Sequence, residues 1–548
     1  MNELMNVKEA ALKLTKYLRV NTLHLPLFGL LATLTACGGG GSGGDDTPNS
    51  APIGTVSISG TVAERELLTA SHNLTDADGM GTVTYRWKRD GVDLGATSST
   101  YTLTYEDVDA LITVTASYTD GAGNKESVDS DPTVAVGRKH DMLIVFGDYN
   151  LYSNTSTDSG ASWNGATTFD VLGLTNGDVY HYDGDGASDG KGNIIVVWGG
   201  EAIPGYGSEI DIIFKTSNDD GATWSDLVAV NSLAETDSID DEDPSIATNG
   251  EGRWIVVWSG PNADGGTGDD ILYAISDDNG ATWSAQTELA SSVESYIDSV
   301  PMIANDGGDN WLVVWYSGDD LNDTIGADYD ILYSYSSDNG ETWSPRAALD
   351  SRAASDGSAS DGWPSLAMDA SGNAIVVWQS NNDLGGTVGT DNDIFVARSS
   401  DAGHTWTTSA VVNDNAATDG VGSNSDRRPQ VAMDNAGNVV VLWQSDEDLD
   451  GTAGTDIDIF VASSSDLGAN WSSVATLNSD AAMDGADRDE YPRITTDRDG
   501  NWLVVWRDTL AAFSSSVSTD NGKTWSPLVN VDEGVMSQDN YSSIPIVY

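Results

Sequence analysis

The chain has 548 residues, of which 86 are Asp or Glu and only 24 are Lys or Arg, so its formal net charge is −62. A chain this negative repels the phosphates of nucleic acids and the surfaces of anionic bilayers, so we expect neither as an electrostatic partner. Hydrophobic residues make up 39% of the chain, which is enough for a packed core of two to four domains.

The N-terminus begins with a basic stretch at 1–22, followed by an apolar run from Leu23 to Ala36. This order, ending in small residues, is typical of an export signal. The run ends in Leu-Thr-Ala-Cys37, which resembles the bacterial lipobox and implies a signal peptide at 1–36 and lipidation at Cys37. The alternative is a buried cysteine in an N-terminal helix. Residues 38–50 are rich in Gly and Ser, so the segment 37–50 has the composition of a flexible tether.

Residues 51–137 form short runs that alternate apolar and polar residues between Gly and Asp turns, which predicts antiparallel strands. Trp87 lies in the middle of one run, where an immunoglobulin-like sandwich has its core tryptophan. Because the cysteine pair of antibody domains is absent, the segment resembles cysteine-free bacterial Ig-like modules. It would serve as a spacer or an adhesive domain.

Residues 138–548 repeat with a period near 60 residues, which indicates a propeller or an array. Each unit contains four strand-like runs, as in a propeller blade. The pattern Ser-x-Asp-x-Gly-x-x-Trp recurs in every unit, with its aspartates at Asp158, Asp219, Asp278, Asp338, Asp401, Asp466 and Asp520. We expect the pattern to form the hairpin between the third and fourth strands, with Asp capping turn amides.

This pattern resembles the Asp-box of sialidases and other BNR-repeat propellers. In that family the boxes lie on the face opposite the active site, so we assign them no catalytic role. A second series of tryptophans ends the second strand of each unit from Trp198 to Trp506. We expect these side chains in the core between blades; an aromatic sugar platform is the alternative.

The two ends of the repeat complement each other. The first unit begins with DMLIVFGD, which matches a second strand, and the chain ends with SSIPIVY, which matches the innermost strands. We therefore predict an all-β chain: an Ig-like β-sandwich followed by a seven-bladed β-propeller, in which the C-terminal strand closes blade one. Sialidases of this superfamily usually have six blades, so the resemblance is to the superfamily.

The scarce arginines gather in the sixth and seventh units. Arginine forks bind carboxylates and sulfates through two hydrogen bonds, which suggests an anionic substrate. A sialidase also needs a Tyr/Glu pair and an Asp acid/base, and these residue types are nearby, although the family motif itself is scrambled. We predict Arg428, Arg488, Arg493 and Arg507 as substrate-binding residues and Asp489, Glu490 and Tyr491 as catalytic residues. Neutralisation of an acidic rim by the arginines is the alternative.

The long loops are rich in Asp and Gly, and the sixth unit reads Asp-Glu-Asp-Leu-Asp-Gly at 446–451. Alternating carboxylates before a glycine resemble the start of a calcium loop, although the expected glutamate at its end is missing. Calcium is therefore the one cofactor considered, with solvated acidic turns as the alternative. Its candidate ligands are Asp446, Asp448, Asp450, Asp456 and Asp458.

These features predict a monomeric outer-membrane lipoprotein on the bacterial cell surface, attached to the membrane only through its lipid anchor. Its propeller would bind or hydrolyse extracellular, anionic glycans or glycoproteins; hydrolysis would use paired carboxylates or a Tyr/Glu pair. The alternative is a non-catalytic, calcium-stabilised adhesion propeller.

Overall fold

A computed structural model describes most of residues 49–547. The residues within this range that are not described are 65, 105–106, 109, 138–141, 148–150, 159, 171–180, 202–208, 231–239, 262–267, 291–295, 327, 419–425, 455, 479–480, 482–487, 499, 509–511 and 532–541. The predicted signal peptide, Cys37 and nearly all of the tether lie outside the described residues. In the part of the chain that the structure covers, no helix has the length and hydropathy needed to cross a membrane.

The described chain is all-β, as predicted, and its regular structure consists of strands apart from short 3₁₀ turns such as Leu449–Gly451. The strands of residues 51–137 form a three-stranded sheet in the order β1-β2-β5 and a four-stranded sheet in the order β4-β3-β6-β7. Their bounds are β1 Val56–Ser59, β2 Leu67–His72, β3 Thr84–Arg89, β4 Val92–Asp93, β5 Thr100–Thr102, β6 Ile112–Thr119 and β7 Lys125–Asp129.

Both of these sheets contribute to one hydrophobic core around Trp87, which is fully buried. The indole nitrogen of Trp87 donates a hydrogen bond to the carbonyl oxygen of Ser98 at 2.9 Å, so burial leaves its polar atom satisfied. The core position predicted for Trp87 is therefore confirmed, while an immunoglobulin-like topology remains a prediction.

The rest of the described chain forms seven four-stranded antiparallel sheets, numbered here from one to seven in chain order. Sheet one contains β8 Met142–Gly147, β9 Leu151–Ser156, β10 Thr167–Asp170 and β35 Ser542–Val547. Sheets two to four contain β11 His181–Ser188, β12 Ile194–Glu201, β13 Ile210–Ser217, β14 Val228–Ala229; β15 Glu242–Thr248, β16 Trp254–Pro261, β17 Asp269–Ser276, β18 Thr287–Ala290; and β19 Asp298–Asn305, β20 Trp311–Ser317, β21 Asp330–Ser336, β22 Ala347–Ala348. Sheets five to seven contain β23 Asp361–Met368, β24 Ala374–Ser380, β25 Asp393–Ser399, β26 Ala410–Val411; β27 Arg427–Met433, β28 Val439–Ser445, β29 Asp458–Ser464, β30 Ala475–Thr476; and β31 Asp489–Thr496, β32 Trp502–Asp508, β33 Ala512–Ser518, β34 Val529–Asn530.

In sheets two to seven the strands pair in chain order, and we call the earliest strand of each sheet its first strand. Sheet one differs because its corresponding edge is β35, from the end of the chain, which pairs antiparallel with β8. The first strand of each sheet also contacts that of the next sheet, and β35 contacts both β31 and β11.

Hydrophobic cores join each sheet to the next. The tryptophans near the ends of the second strands, from Trp198 to Trp506, are at most 1% exposed. Trp258 of sheet three, for example, packs against Ile212 and Phe214 of sheet two. Another core joins sheet seven to Phe146 of sheet one. The prediction that this tryptophan series lies in the cores between sheets is confirmed.

The Ser-x-Asp-x-Gly-x-x-Trp patterns form the hairpins between third and fourth strands, as predicted. In sheet two, Ser217 Oγ and the Thr223 amide donate hydrogen bonds to Asp219 Oδ1 at 2.9 and 2.8 Å, and the Gly221 amide donates to Ser217 Oγ at 2.8 Å. Gly221 has a φ of 79°, which favours glycine. Burial would raise the pKa of Asp219, but the hydrogen bonds that it accepts from Thr223 and Ser217 hold that pKa below its ordinary value.

Candidate functional site at the start of the first strands

The first strands of sheets three to seven share a local distortion near their start. In each of them two residues of the first strand lie opposite one residue of the second, so one extra residue is inserted and the strand bends. The bulge contains a proline in every case: Pro244, Pro301, Pro364, Pro429 and Pro492. Proline has no amide hydrogen for the ladder, so a bulge is where a paired strand tolerates it.

The residue before each proline has a positive φ between 52° and 55°. These residues are Asp243, Val300, Trp363, Arg428 and Tyr491. A left-handed backbone is costly for side chains other than glycine, and most of all for a β-branched one such as Val300. Neighbouring sheets support the conformation, because the amides of Arg428 and Tyr491 donate to the side-chain oxygens of Gln379 and Gln444 at 3.1 and 3.0 Å.

These bulges surround a cavity of about 220 Å³, which we call the upper cavity. Its lining comes from the first strands of sheets two to seven and includes all five positive-φ residues. Aliphatic side chains such as Ile303 and Ile494 line both the upper cavity and a second cavity further along the same strands. Ligand sites commonly enclose about 300–1,000 Å³, so the upper cavity suits one small ring rather than a chain.

A cation lies between two aromatic rings on one wall of this cavity. The guanidinium carbon of Arg428 is 4.0 Å from the ring centroid of Trp363 and 4.5 Å from that of Tyr491. The three residues occupy the same bulge position in three consecutive sheets. Stacking on both faces restricts the guanidinium N–H donors to the plane between the rings and so orients them.

Asp185 of β11 is one of the two acidic residues, with Asp243, in the described lining of the upper cavity. Its Oδ2 accepts hydrogen bonds from Ser245 Oγ at 2.9 Å and from the Ile246 amide at 3.0 Å. Burial raises the pKa of the Asp185 carboxyl above its ordinary value, although these hydrogen bonds and the charge of Arg493 act in the opposite direction. A carboxyl with a raised pKa in a cavity is suited to hold a proton for catalysis.

The hydrogen bonds that join Asp185 to the next first strand do not themselves require a carboxyl. The strand register places Asp185 at the position held by Ser245 in sheet three and Ser365 in sheet five. Ser245 and Ser365 accept hydrogen bonds from amides of the next first strand, Ile303 at 3.3 Å and Val431 at 3.0 Å. A serine therefore suffices to link neighbouring strands, which leaves the acidity of Asp185 without a structural explanation.

The structure brings three of the seven residues predicted for catalysis or substrate binding to the upper cavity: Arg428, Tyr491 and Arg493. Glu490 lies outside its lining, where its carboxylate pairs with Arg488 at 2.6 Å and with Arg507 at 3.3 Å. Asp489 is also outside the lining and is 5% exposed. The predicted group is thus divided between the cavity and an ion-pair cluster beside it.

The aspartates predicted to bind calcium in sheet six also have separate environments. Asp448 caps the 3₁₀ turn by accepting a hydrogen bond from the Gly451 amide at 2.9 Å. Asp458 accepts one from the side-chain amide of Asn478 at 3.1 Å, whereas Asp456 Oδ2 is buried without a hydrogen-bond partner. Asp446 precedes the turn, and the side chain of Asp450 is not described. Among the described residues, no group of three or more His, Cys, Asp or Glu is arranged to hold a metal ion.

Sequence reasoning missed Asp185, Asp243 and Trp363. The recurring x-Pro step at the start of the first strands could have indicated Asp243 and Trp363, since it marks the same position in five sheets. Asp185 was harder to find because sheet two has Gly184 where sheets three to seven have a proline.

Residues 312–544 match the family model described as a BNR repeat-like domain. No curated protein matches the chain. Solved structures are similar to it at low identity. An α-L-arabinofuranosidase from Fusarium graminearum is 15% identical with a TM-score of 0.42, over 68% of this chain and 98% of its own. The leech intramolecular trans-sialidase is 12% identical with a TM-score of 0.42 over 90% and 92%, and that of Ruminococcus gnavus is 13% identical with a TM-score of 0.41 over 65% and 96%.

Proposed function

We propose that this protein is a glycan-processing protein that binds one anionic sugar residue in the upper cavity and hydrolyses its glycosidic bond. The proposal rests on one observation: an acidic carboxyl, Asp185, shares a small cavity with two arginines and an aromatic pair. Arginine forks bind carboxylate or sulfate groups, and the two aromatic rings orient the fork of Arg428 by stacking on it.

The residues have distinct roles in this proposal. Arg428 and Arg493 bind the acidic group of the sugar, and Trp363 and Tyr491 orient Arg428 between their rings. Asp185 donates a proton to the leaving oxygen as the glycosidic bond breaks. On the opposite side of the anomeric carbon, Asp243 removes a proton from the attacking water, or Tyr491 attacks as a nucleophile and water then hydrolyses the bond that it forms. A pair of such groups about an oxocarbenium-like transition state is the usual machinery of glycoside hydrolysis.

A substitution of Asp185 by serine tests the proposal most sharply. Ser245 shows that serine can make the strand-linking hydrogen bond, so Asp185→Ser should fold normally and lose the acid. The assay uses fluorogenic glycosides of acidic sugars and reducing-end release from anionic polysaccharides. A screen without turnover, or an Asp185→Ser variant with unchanged kcat, would refute hydrolysis at this site.

Substrate recognition is tested with Arg493→Gln. We expect KM for the acidic substrate to rise by about tenfold or more, because a charge-assisted hydrogen bond is lost. The matched control is Arg253→Gln. Arg253 pairs with Asp277 and Glu341 beside a box hairpin at 2.6 and 2.8 Å, so its loss should leave KM unchanged.

We further propose that the seven sheets are the blades of a β-propeller closed by the C-terminal strand. The hydrophobic cores between successive sheets and the pairing of β35 with β8 support this arrangement. The lipobox-like sequence supports a lipoprotein on the bacterial surface, with an Ig-like module after the tether. A monomer whose membrane contact is the lipid anchor, acting on extracellular glycans, accords with these features. A propeller that binds without turnover, stabilised by calcium, is the outcome if the activity screen fails while binding persists.

A further inference from the structure

Sheet four carries a group of apolar and aromatic side chains beside the upper cavity. Tyr316 lies near the end of β20, Tyr329 directly precedes β21, and Ile297 directly precedes β19. The rings of Tyr316 and Tyr329 are 5.6 Å apart in a T-shaped arrangement, so their contact covers at most one face of each ring. Ile297 and Tyr329 are 43% and 38% exposed, so the group presents apolar surface to solvent. We call these three residues the sheet-four platform.

Gly318 lies at the centre of the platform. Its amide donates a hydrogen bond to the carbonyl oxygen of Ile297 at 3.3 Å. A Cβ at residue 318 would lie 3.5 Å from Cε1 of Tyr329, so the glycine leaves the space beside that ring open. Sheets five and six have the larger Asn381 and Asp446 at this position.

The corresponding positions of sheet five show that the fold does not require aromatic residues here. The residue after the buried tryptophan is Tyr316 in sheet four and Gln379 in sheet five, where its side chain supports the next bulge through the Arg428 amide. The residue before the third strand is Tyr329 in sheet four and Asn392 in sheet five. In both sheets its carbonyl oxygen accepts an amide hydrogen bond from the next first strand, at 2.8 and 2.9 Å. The backbone supplies this bond whatever the side chain, which leaves the exposed ring of Tyr329 without a structural explanation.

The platform is continuous with the upper cavity. Ser299 lies opposite Tyr316 in the strand register, and its Oγ donates a hydrogen bond at 3.1 Å to Oδ2 of Asp243, which lines the cavity. Burial raises the pKa of the Tyr316 hydroxyl, a hydrogen bond with Ser299 lowers it, and the nearby carboxylates of Asp243 and Glu242 raise it again. A glycan that leaves the cavity past Ser299 therefore reaches the platform.

We propose that the sheet-four platform binds a neutral sugar that is linked to the acidic sugar in the upper cavity. This inference rests on the proposed function, because the cavity holds the acidic end of the glycan. A tyrosine combines a flat apolar face with a polar hydroxyl, which match the C–H face and the hydroxyl groups of a sugar ring. The carboxylates of Asp243 and Glu242 repel a second acidic group, whereas they can accept hydrogen bonds from sugar hydroxyls. The substrate class is thus a glycan that joins an acidic sugar to a neutral one, rather than an all-acidic polymer.

The test is calorimetric titration of the full chain and of Asp185→Ser, in which we expect no hydrolysis. The probes are glucuronic, galacturonic and N-acetylneuraminic acid, oligosaccharides that join each of them to neutral sugars, and oligogalacturonides as the all-acidic control. We expect the acidic sugar that binds to gain about tenfold in affinity when a neutral sugar is attached, as one aromatic contact can provide. The all-acidic control should show no such gain.

Two substitutions to the residues of sheet five locate the gain. Tyr329→Asn and Tyr316→Gln should each remove it and leave the affinity for the acidic monosaccharide unchanged. The matched control is Tyr335→Asn, beside the box hairpin at the other end of β21, which should leave every affinity unchanged.

The outcomes separate this site from the proposed function. A monosaccharide that binds as well as its neutral-linked oligosaccharides, or a gain that survives both platform substitutions, would overturn the platform and leave the cavity intact. Neutral oligosaccharides that bind without any acidic sugar, and lose their binding in Tyr329→Asn, would overturn the cavity and keep the platform. A panel in which nothing binds would overturn both.

Discussion

Aspartate occurs at both ends of the repeated sheets, in opposite electrostatic states. At the box hairpins, hydrogen bonds from neighbouring amides and hydroxyls lower the pKa of aspartates such as Asp219 and Asp278. At the start of the first strands, burial raises the pKa of Asp185 and Asp298. The box hairpins repeat one hydrogen-bond network in every sheet. The start of the first strands instead keeps one backbone conformation in sheets three to seven and varies the side chains that it carries. A constant backbone with varied side chains is expected of a binding face, and a constant side-chain network is expected of a structural one.

The largest effect should come from removing the acid of the upper cavity. We expect Asp185→Ser to lower kcat by about 10²–10⁴, the usual contribution of a general acid, with a Tm within a few degrees of the parent. Steady-state kinetics and a melting curve on the same sample measure both. A variant that lost its Tm together with its activity would make Asp185 a structural residue like the box aspartates.

Removing one box aspartate should have the converse effect. Asp219→Ala deletes the acceptor for Ser217 and Thr223, a loss comparable to that of a helix cap, about 1 kcal/mol. We expect the free energy of unfolding to fall by about 1 kcal/mol and kcat to stay unchanged, as measured by urea unfolding and by glycoside turnover. A fall in kcat without a fall in stability would contradict the structural assignment of the boxes.

The two groups of aspartates should also respond to pH in opposite directions. Burial, together with the nearby Asp270 and Asp319 carboxylates, raises the pKa of Asp298 to about 7, against the opposing effects of Ser317 and Arg346. Its ordinary value is 3.8, so the folded chain holds a proton that the unfolded chain releases. The stability that it contributes is present at low pH and is lost as the pH rises through about 7.

A pH series of unfolding curves with and without Asp298→Asn measures this effect. The variant should flatten the loss of stability between about pH 4 and 7, because an amide does not ionise. The box aspartates, whose pKa values are lowered, should instead cost stability below about pH 4. An Asp298→Asn profile parallel to that of the parent chain would show that Asp298 is not the titrating group.

The sequence predicted most features of the box hairpins and about half of the residues that matter around the upper cavity. A pattern that recurs in every unit, such as the box or the buried tryptophans, is visible because repetition separates it from chance. Tyr491, Arg428 and Arg493 were predicted from their types and proximity. Glu490 was grouped with Tyr491 because the two are adjacent, but neighbours in a strand face opposite sides, and Glu490 pairs with arginines outside the cavity. Asp185 could be found only from the strand register, which relates it to Ser245.

The smallest effect concerns the strained backbone of the cavity end. Val300 has a φ of 52°. Because its side chain is β-branched, it is the residue least suited to a positive φ among the five bulge positions. Asparagine tolerates the left-handed region far better, so Val300→Asn should raise stability by about 0.5–1 kcal/mol, a part of the strain stored at such sites.

Urea unfolding measures the change, with Val228→Asn as the control. Val228 is an exposed strand residue outside the positive-φ set, and there asparagine should lower stability because it fits a strand poorly. Opposite signs at the two positions would show that the bulges store strain, and a loss of stability at both would show that packing around Val300 outweighs its backbone conformation.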